Sequence, residues 1–201
     1  FEDFRTVPFM TKQDLRDCYP DRHFVKPYRD LVRLHISSGT TGNPTVVGYT
    51  RKDLDDWAES LDRGMVSFGM SKDDVLQNFH GYGLFTGGLG VHDAAQRMGV
   101  TVLPISTGNT ERQIKMMQDL PITAFAGTPS YLFHIADVCD RMGVDIRRDT
   151  KVRRAIAGGE PWSESMRQKI QERTGIRVHN CYGASEFYGP MFLECEKQCG
   201  L

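Results

Sequence analysis

The apolar positions alternate between short β-branched runs and stretches in which apolar residues recur every three or four positions. Val46, Val47, Gly48 and Tyr49 read as a strand. Thr50 then opens a helix through Leu54, Trp57 and Leu61. Residues 75–79 form the next predicted strand, and the Gly-rich stretch 81–90 leads into a helix ending near Gly99. A buried strand is expected over 100–105, followed by a helix for which Thr110 and Gln113 supply a capping-box pattern. Residues 122–126 read as a strand. Thr128-Pro129 starts a helix, because proline at the first helical position lacks only an amide that would go unpaired there anyway. A strand over 152–157, a helix over 162–173 and a strand over 176–181 complete the series. Strands alternating with amphipathic helices predict an α/β fold of right-handed βαβ units, with a mainly parallel sheet and flanking helices. No repeat or low-complexity linker divides it, so one domain is expected.

Composition narrows the function classes. A chain of 201 residues suffices for one sizeable core. With 25 basic against 26 acidic residues there is no basic footprint of a nucleic-acid binder. No apolar run approaches the roughly 18 residues that span a bilayer. The start, Phe-Glu-Asp-Phe-Arg, lacks the regions of a signal peptide. The 5 cysteines are odd in number and scattered, which argues against a disulfide framework and for a reducing, cytoplasmic setting. A first residue other than Met and an end at Gly200-Leu201 read as a fragment.

Three segments are suited to chemistry. In Ser37-Ser38-Gly39-Thr40-Thr41-Gly42-Asn43-Pro44-Thr45, glycines let backbone approach a polyphosphate while hydroxyls and amides donate to its oxygens. The spacing is not that of a Walker loop, and such a cluster taken alone is more often a hairpin turn. Asn180-Cys181-Tyr182-Gly183-Ala184-Ser185-Glu186 ends a predicted strand, where ligands of open α/β sheets collect. There Tyr offers a flat face for a base and Glu a hard oxygen for a cation. Ala157-Gly158-Gly159-Glu160-Pro161 also links a strand to a helix. By themselves, the last two could be ordinary strand-end turns with solvated carboxylates. The six histidines show neither zinc-enzyme spacing nor a Gly-x-Ser-x-Gly elbow beside them, and read as structural. Cys195 and Cys199 are soft ligands suited to half of a zinc site.

Taken together and in this order, the three segments resemble the signatures of the acyl-adenylating superfamily of acyl-CoA synthetases, peptide-synthetase adenylation domains and luciferases. The wording of residues 35–50, of Gly81-Tyr82-Gly83-Leu84-Phe85-Thr86-Gly87-Gly88-Leu89-Gly90 and of residues 8–16 is similar to the phenylacetate–CoA ligase family, across essentially the whole chain. The resemblance implies that residues 1–201 are an incomplete large adenylation domain whose C-terminal lid, with its catalytic lysine, is absent, so that this chain alone would not make acyl-CoA.

The activity implied is ATP-dependent conversion of an aryl-acetic acid such as phenylacetate to acyl-AMP, followed by transfer to coenzyme A. Ser37, Ser38, Gly39, Thr40, Thr41 and Gly42 would hold the ATP phosphates. Gly159, Glu160 and Pro161 on one side and Tyr182 and Gly183 on the other would flank adenine. Ser185 would touch the α-phosphate, and Glu186 would ligate Mg2+. Phe79, Tyr82, Gly83, Phe85 and Gly158 would form the acyl pocket, although the glycines of this tract equally suit a helix packed close to the sheet. Asn43 departs from the family, which often has Lys there. Some relatives carry a Cys/His cluster near Cys195, which makes Zn2+ a further candidate. Partners would be the aryl acid, ATP and coenzyme A, with a homodimer allowed and no nucleic acid or membrane. The rival readings are an adenylating enzyme that passes its acyl group to a carrier protein or polysaccharide, and a non-catalytic nucleotide-binding module.

Overall fold

The computed structural model describes residues 2–38 and 42–201. Six strands make the central sheet: β3 (Val75–Asn78), β4 (Thr101–Leu103), β5 (Ala124–Gly127), β6 (Arg154–Gly158), β7 (Arg177–Tyr182) and β8 (Phe192–Leu193). Their order is β4-β3-β5-β6-β7-β8, parallel throughout except for β8, which runs antiparallel to β7. Before them, β1 (Arg33–Ile36) and β2 (Val46–Tyr49) form a separate antiparallel pair, with Ile36 opposite Val46. The helices are α1 (Lys12–Asp17), α2 (Arg51–Ser67), α3 (Thr86–Arg97), α4 (Thr110–Asp119), α5 (Pro129–Met142), α6 (Ile146–Asp149) and α7 (Glu164–Thr174). None is long and apolar enough to cross a membrane.

Side chains alternate across each strand, so the sheet separates two apolar clusters. Leu76, Ala124, Ala126, Ile156 and Cys181 meet Leu54, Trp57, Leu61 and Met65 of α2 and Val91, Ala94 and Ala95 of α3. On the other side Phe125, Ala155, Ala157 and Val178 meet Ile114 and Met117 of α4, Leu132, Ile135 and Val138 of α5, and Ile170 of α7. Both faces are covered, which explains why the strands read as unbroken apolar runs.

The helices start and stop where local chemistry dictates. Thr50 and Asp53 form a reciprocal capping box at α2. Thr128 caps α5 with Pro129 in the first turn, and Gly143 ends it at φ 68°. α2 and α3 approach closely because α3 presents Gly90, where a Cβ would overlap the Trp57 ring, while Gly88 lets α3 lie against the loop after β3, since a Cβ there would overlap the Gly81 carbonyl.

Two expectations need correction. The N-cap of α4 is Asn109, whose side chain accepts from Arg112 N at 2.9 Å. Thr110 is instead inside the helix, 3.1 Å from the Tyr131 hydroxyl, and Gln113 is buried with its amide on Ser106 O at 2.9 Å. The strand expected buried over 100–105 covers only Thr101–Leu103 and lies at the sheet edge, with Thr101 exposed.

Two buried carboxylates pin the sheet from opposite ends. Asp74, just before β3, accepts from Thr123 Oγ1 at 2.6 Å, Arg153 at 2.6 Å, Ser71 N at 2.9 Å and Arg154 at 3.3 Å. Glu194, just after β8, accepts from Arg167 Nη1 at 2.6 Å and from the amides of Asn180 at 3.0 Å and Gly200 at 3.1 Å. Burial alone would raise its pKa, but these hydrogen bonds outweigh burial and hold the carboxyl below its ordinary value.

Candidate active site

Because β3, β5, β6 and β7 are parallel, their carboxyl ends share one edge, with Asn78 paired to Ala126, Gly127 to Ala157 and Gly158 to Cys181. The loops that follow contain residues 79–85, 159–163 and 183–191. The β1–β2 hairpin is tied to the same edge: Ile36 N donates to Leu84 O at 3.0 Å and His35 Nδ1 lies 3.0 Å from the same oxygen. Leu84 O can only accept, so the His35 ring donates through Nδ1, and burial lowers its pKa below the ordinary histidine value.

The hydroxyl-rich segment connects the antiparallel strands β1 and β2, as the hairpin-turn reading expects. Ser37 N donates to Thr45 O at 2.9 Å and Thr45 N to Ser37 Oγ at 2.8 Å, closing the base of the loop. Ser37 Oγ accepts that bond and keeps its own proton to donate. Ser38 is exposed, and Gly42 sits at φ 139° with open space around it. Gly39, Thr40 and Thr41 lie outside the described residues.

Across the edge, Gly159 is exposed at φ 85° and Tyr182 is half exposed, each directly following the last paired residue or closing the pair. The Tyr182 ring leans on Phe187 at 6.1 Å and Phe192 at 6.3 Å. Pro161 is exposed. The Glu160 carboxylate has a task that the sequence did not reveal: Oε1 accepts from Ser130 N at 2.6 Å, so it caps the amino end of α5. Gly183 is a glycine of necessity, since a Cβ there would stand 2.5 Å from Gly189 Cα.

Ser185 and Glu186 lie on a 3₁₀ turn, Ser185–Phe187. Glu186 Oε1 is shielded from solvent, forms an ion pair with Lys12 Nζ of α1 at 3.1 Å, and has no hydrogen-bond partner among the described residues. Glu186 borders a cavity of about 290 Å³ that also touches Met10, Leu15, Thr45, Thr50 and Asp53. The turn itself is fastened to α2 and β2. Tyr49 OH donates to Ser185 O at 3.1 Å, Trp57 Nε1 to Pro190 O at 2.9 Å, and Tyr188 OH to Asp53 Oδ1 at 3.2 Å. Lys12, Tyr49, Asp53, Trp57 and Tyr188 were not singled out from the sequence. Of these, only the Thr50-x-x-Asp53 spacing carried a local signal.

The expected acyl pocket divides. Tyr82, Gly83 and Phe85 share the loop after β3. The Tyr82 hydroxyl accepts from Asn78 Nδ2 at 2.8 Å and lies 3.1 Å from His92 Nδ1, and burial pushes its pKa up to about 12. Gly83 has nothing within 4 Å of an added Cβ, and Phe85 is exposed. Phe79 is placed otherwise: it is buried against Phe125 at 5.1 Å and Tyr131 at 5.3 Å. Gly158 is also placed otherwise, since a Cβ there would overlap the Cys181 carbonyl and sulfur. These two serve the core and the β6–β7 contact.

Cys195 is half-buried and Cys199 exposed. Among the described residues no group of three or more His, Cys, Asp or Glu side chains is gathered to hold a metal ion, so the pair alone does not fit zinc.

Comparison with known proteins adds an independent line. Residues 6–200 match the AMP-binding enzyme family. The chain is 46% identical over 195 residues to phenylacetate-coenzyme A ligase of Pseudomonas putida, covering 96% of this chain and 44% of that protein. It is 44% identical over 194 residues to the phenylacetate-coenzyme A ligase of Escherichia coli (strain K12), covering 96% and 44%. The chain therefore spans under half the length of these curated relatives. Among solved structures, 2-hydroxyisobutyryl-CoA ligase in complex with 2-HIB-AMP and CoA superposes with a TM-score of 0.88 at 27% identity, over 96% of this chain and 42% of that one.

Proposed function

The chain belongs to the AMP-binding enzyme family, and from that premise we propose that the protein activates an aryl-acetic acid with ATP and passes the acyl group to coenzyme A. The substrate carboxylate attacks the α-phosphorus, pyrophosphate leaves, and acyl-AMP forms. The coenzyme A thiolate then attacks the acyl carbonyl and AMP leaves. The names of the relatives at about 45% identity support the aryl-acetic acid.

The observation that carries this reading is the cavity bordered both by Thr45, at the base of the hairpin loop, and by Glu186, with the Tyr49–Ser185 hydrogen bond fastening the turn to the far end of β2. Ser37, Ser38 and the loop amides through Gly42 donate to the phosphates. The Tyr182 face and the 159–161 backbone hold the base, while Ser185 orients the α-phosphate. Tyr82 and Phe85 wall the aryl ring, and Gly83 leaves it room. The protein contributes position and preorganised charge.

Glu186 would hold magnesium: its Oε1 is shielded from solvent, the Lys12 ammonium 3.1 Å away already occupies the position as a cation, and a single carboxylate suits an ion that keeps several waters. Bound magnesium supplies positive charge against that growing on the phosphate oxygens. In the full-length enzyme Glu186→Gln should lower ATP–pyrophosphate exchange by about 10²–10³. Exchange equal to wild type at every magnesium concentration would remove Glu186 from the site.

A further inference from the structure

We propose that Asp53 is a positioning residue that sets the spacing between the phosphate hairpin and the Glu186 turn, with Tyr188 as the arm that reaches the turn. The inference rests on the functional reading above and adds to it a residue on α2 outside the three signature segments.

The two oxygens of Asp53 serve different parts of the molecule. Oδ2 accepts from Thr50 N at 2.8 Å and Thr50 Oγ1 at 2.7 Å, while Oδ1 accepts from Tyr188 OH at 3.2 Å. Thr50 directly follows β2, the strand on which the hairpin loop returns, and Tyr188 lies two residues beyond Glu186. A capping box uses the first oxygen only. The second bond therefore exceeds what the helix start requires, and it runs to the turn that carries Glu186.

Tyr188 is built to receive it. Its φ of 50° is a backbone conformation that a bulky residue rarely adopts. Such strain persists where the surroundings over-determine it, and it gathers at functional sites. Here the ring stacks on Trp57 at 6.1 Å and 10°, leans on Tyr49 at 6.0 Å, and ends on Asp53. Tyr49 holds the turn at Ser185 and Trp57 holds it at Pro190, so the Asp53–Tyr188 bond falls between these two fixed points. Asp53 and Glu186 also border the same cavity as Thr45 and Thr50. A displacement of about 1 Å between phosphates and metal carboxylate suffices to lower rates on the order of a hundredfold, so a device that fixes this distance has a function to serve.

The test uses the full-length enzyme and AMPCPP, the ATP analogue whose α–β bridge is a methylene and cannot be cleaved in adenylation. Tyr188→Phe keeps the stacked ring and removes the hydroxyl. Calorimetry should show roughly tenfold weaker binding of Mg-AMPCPP, the scale of a lost hydrogen bond to a charged group, with metal-free AMPCPP bound as in wild type. KM for Mg-ATP should rise while KM for the acid stays unchanged. If Tyr188→Phe proves unstable, Asp53→Asn, which keeps one oxygen for the helix cap and turns an uncharged amide donor towards the Tyr188 hydroxyl, should show the same metal-linked loss to a smaller degree. In a Glu186→Gln background either change should add little, because residues acting through one another are not additive. Equal losses with and without magnesium, or full additivity with Glu186→Gln, would overturn the proposal. If instead Glu186→Gln alone has no effect on exchange, the metal reading fails, and that outcome is distinct from wild-type behaviour of Tyr188→Phe and Asp53→Asn beside an impaired Glu186→Gln.

Discussion

Beneath α2 and α3 the sheet meets Trp57, Tyr49 and Met65, whereas beneath α4, α5 and α7 it meets Ile114, Leu132, Ile135 and Ile170. Both layers are apolar and buried, yet they do different work. On the α2 face the aromatic side chains carry polar tips, and those tips end on the loops of the candidate site: Trp57 on Pro190, Tyr49 on Ser185. On the α5 face the buried side chains are mostly aliphatic, and the polar tips there, such as Gln113 on Ser106 O and Trp162 on Asn180, end on segments other than the Glu186 turn. A polar tip on an apolar body is what lets one residue serve core and site together. The first face thus aims the machinery, and the second mainly keeps the sheet folded.

That division can be broken by experiment. The largest effect should come from Ile135→Ala on the α5 face. Ile135 is fully buried, and such a truncation costs about 2–5 kcal/mol through lost burial and the cavity left behind. Urea unfolding should register that loss while the folded fraction binds Mg-ATP as tightly as wild type. A matching fall in affinity would mean that both faces aim the site.

Gly83→Leu should do the reverse. With open space around Gly83, stability should change little, but the added side chain would enter the room proposed for the ring. Discrimination between phenylacetate and acetate should fall by roughly ten- to hundredfold, the equivalent of about 1–3 kcal/mol of overpacking. Equal losses for both acids would return this glycine to the scaffold.

The smallest effect is expected at β8, where Leu193 packs towards α2 and the next residue, Glu194, pairs with Arg167 of α7. The folded pKa of Glu194 is depressed, so its contribution is present above the unfolded glutamate value and lost as pH falls through the folded one. Wild type should therefore lose a few degrees of melting temperature in acid that Glu194→Gln, already less stable at neutral pH, does not lose. Parallel melting curves across pH 3–7, on the order of the carboxylate range, would dismiss this role.

How much of this was legible beforehand follows from the same contrast. The α5 face is written in local patterns: apolar runs at β5, β6 and β7 and three- to four-residue spacing in α5 place its strands and helices to within a few residues. The hydroxyl-rich hairpin and the Tyr182–Glu186 turn were legible because their chemistry is contiguous. The fastenings were not, since Trp57 and Pro190 are 133 residues apart and Asp53 and Tyr188 are 135 apart. Ordinary residue types meeting at such separations leave no periodicity to read. Strand β1 escaped notice because Arg33-Leu34-His35-Ile36 is short and half polar, and β8 because it has only two residues. Glycines were ambiguous for a related reason: Gly83 is open and Gly90 crowded, and what stands opposite each belongs to another element.

The double acceptor at Leu84 bears on how such a protein can diversify. The oxygen that receives Ile36 N and approaches His35 Nδ1 is a main-chain carbonyl, and the Leu84 side chain itself is 58% exposed. Any residue at this position supplies the same carbonyl. The exposed side chains of Leu84 and Phe85 can therefore drift over generations, while the β1–β2 hairpin inherits an unaltered foothold.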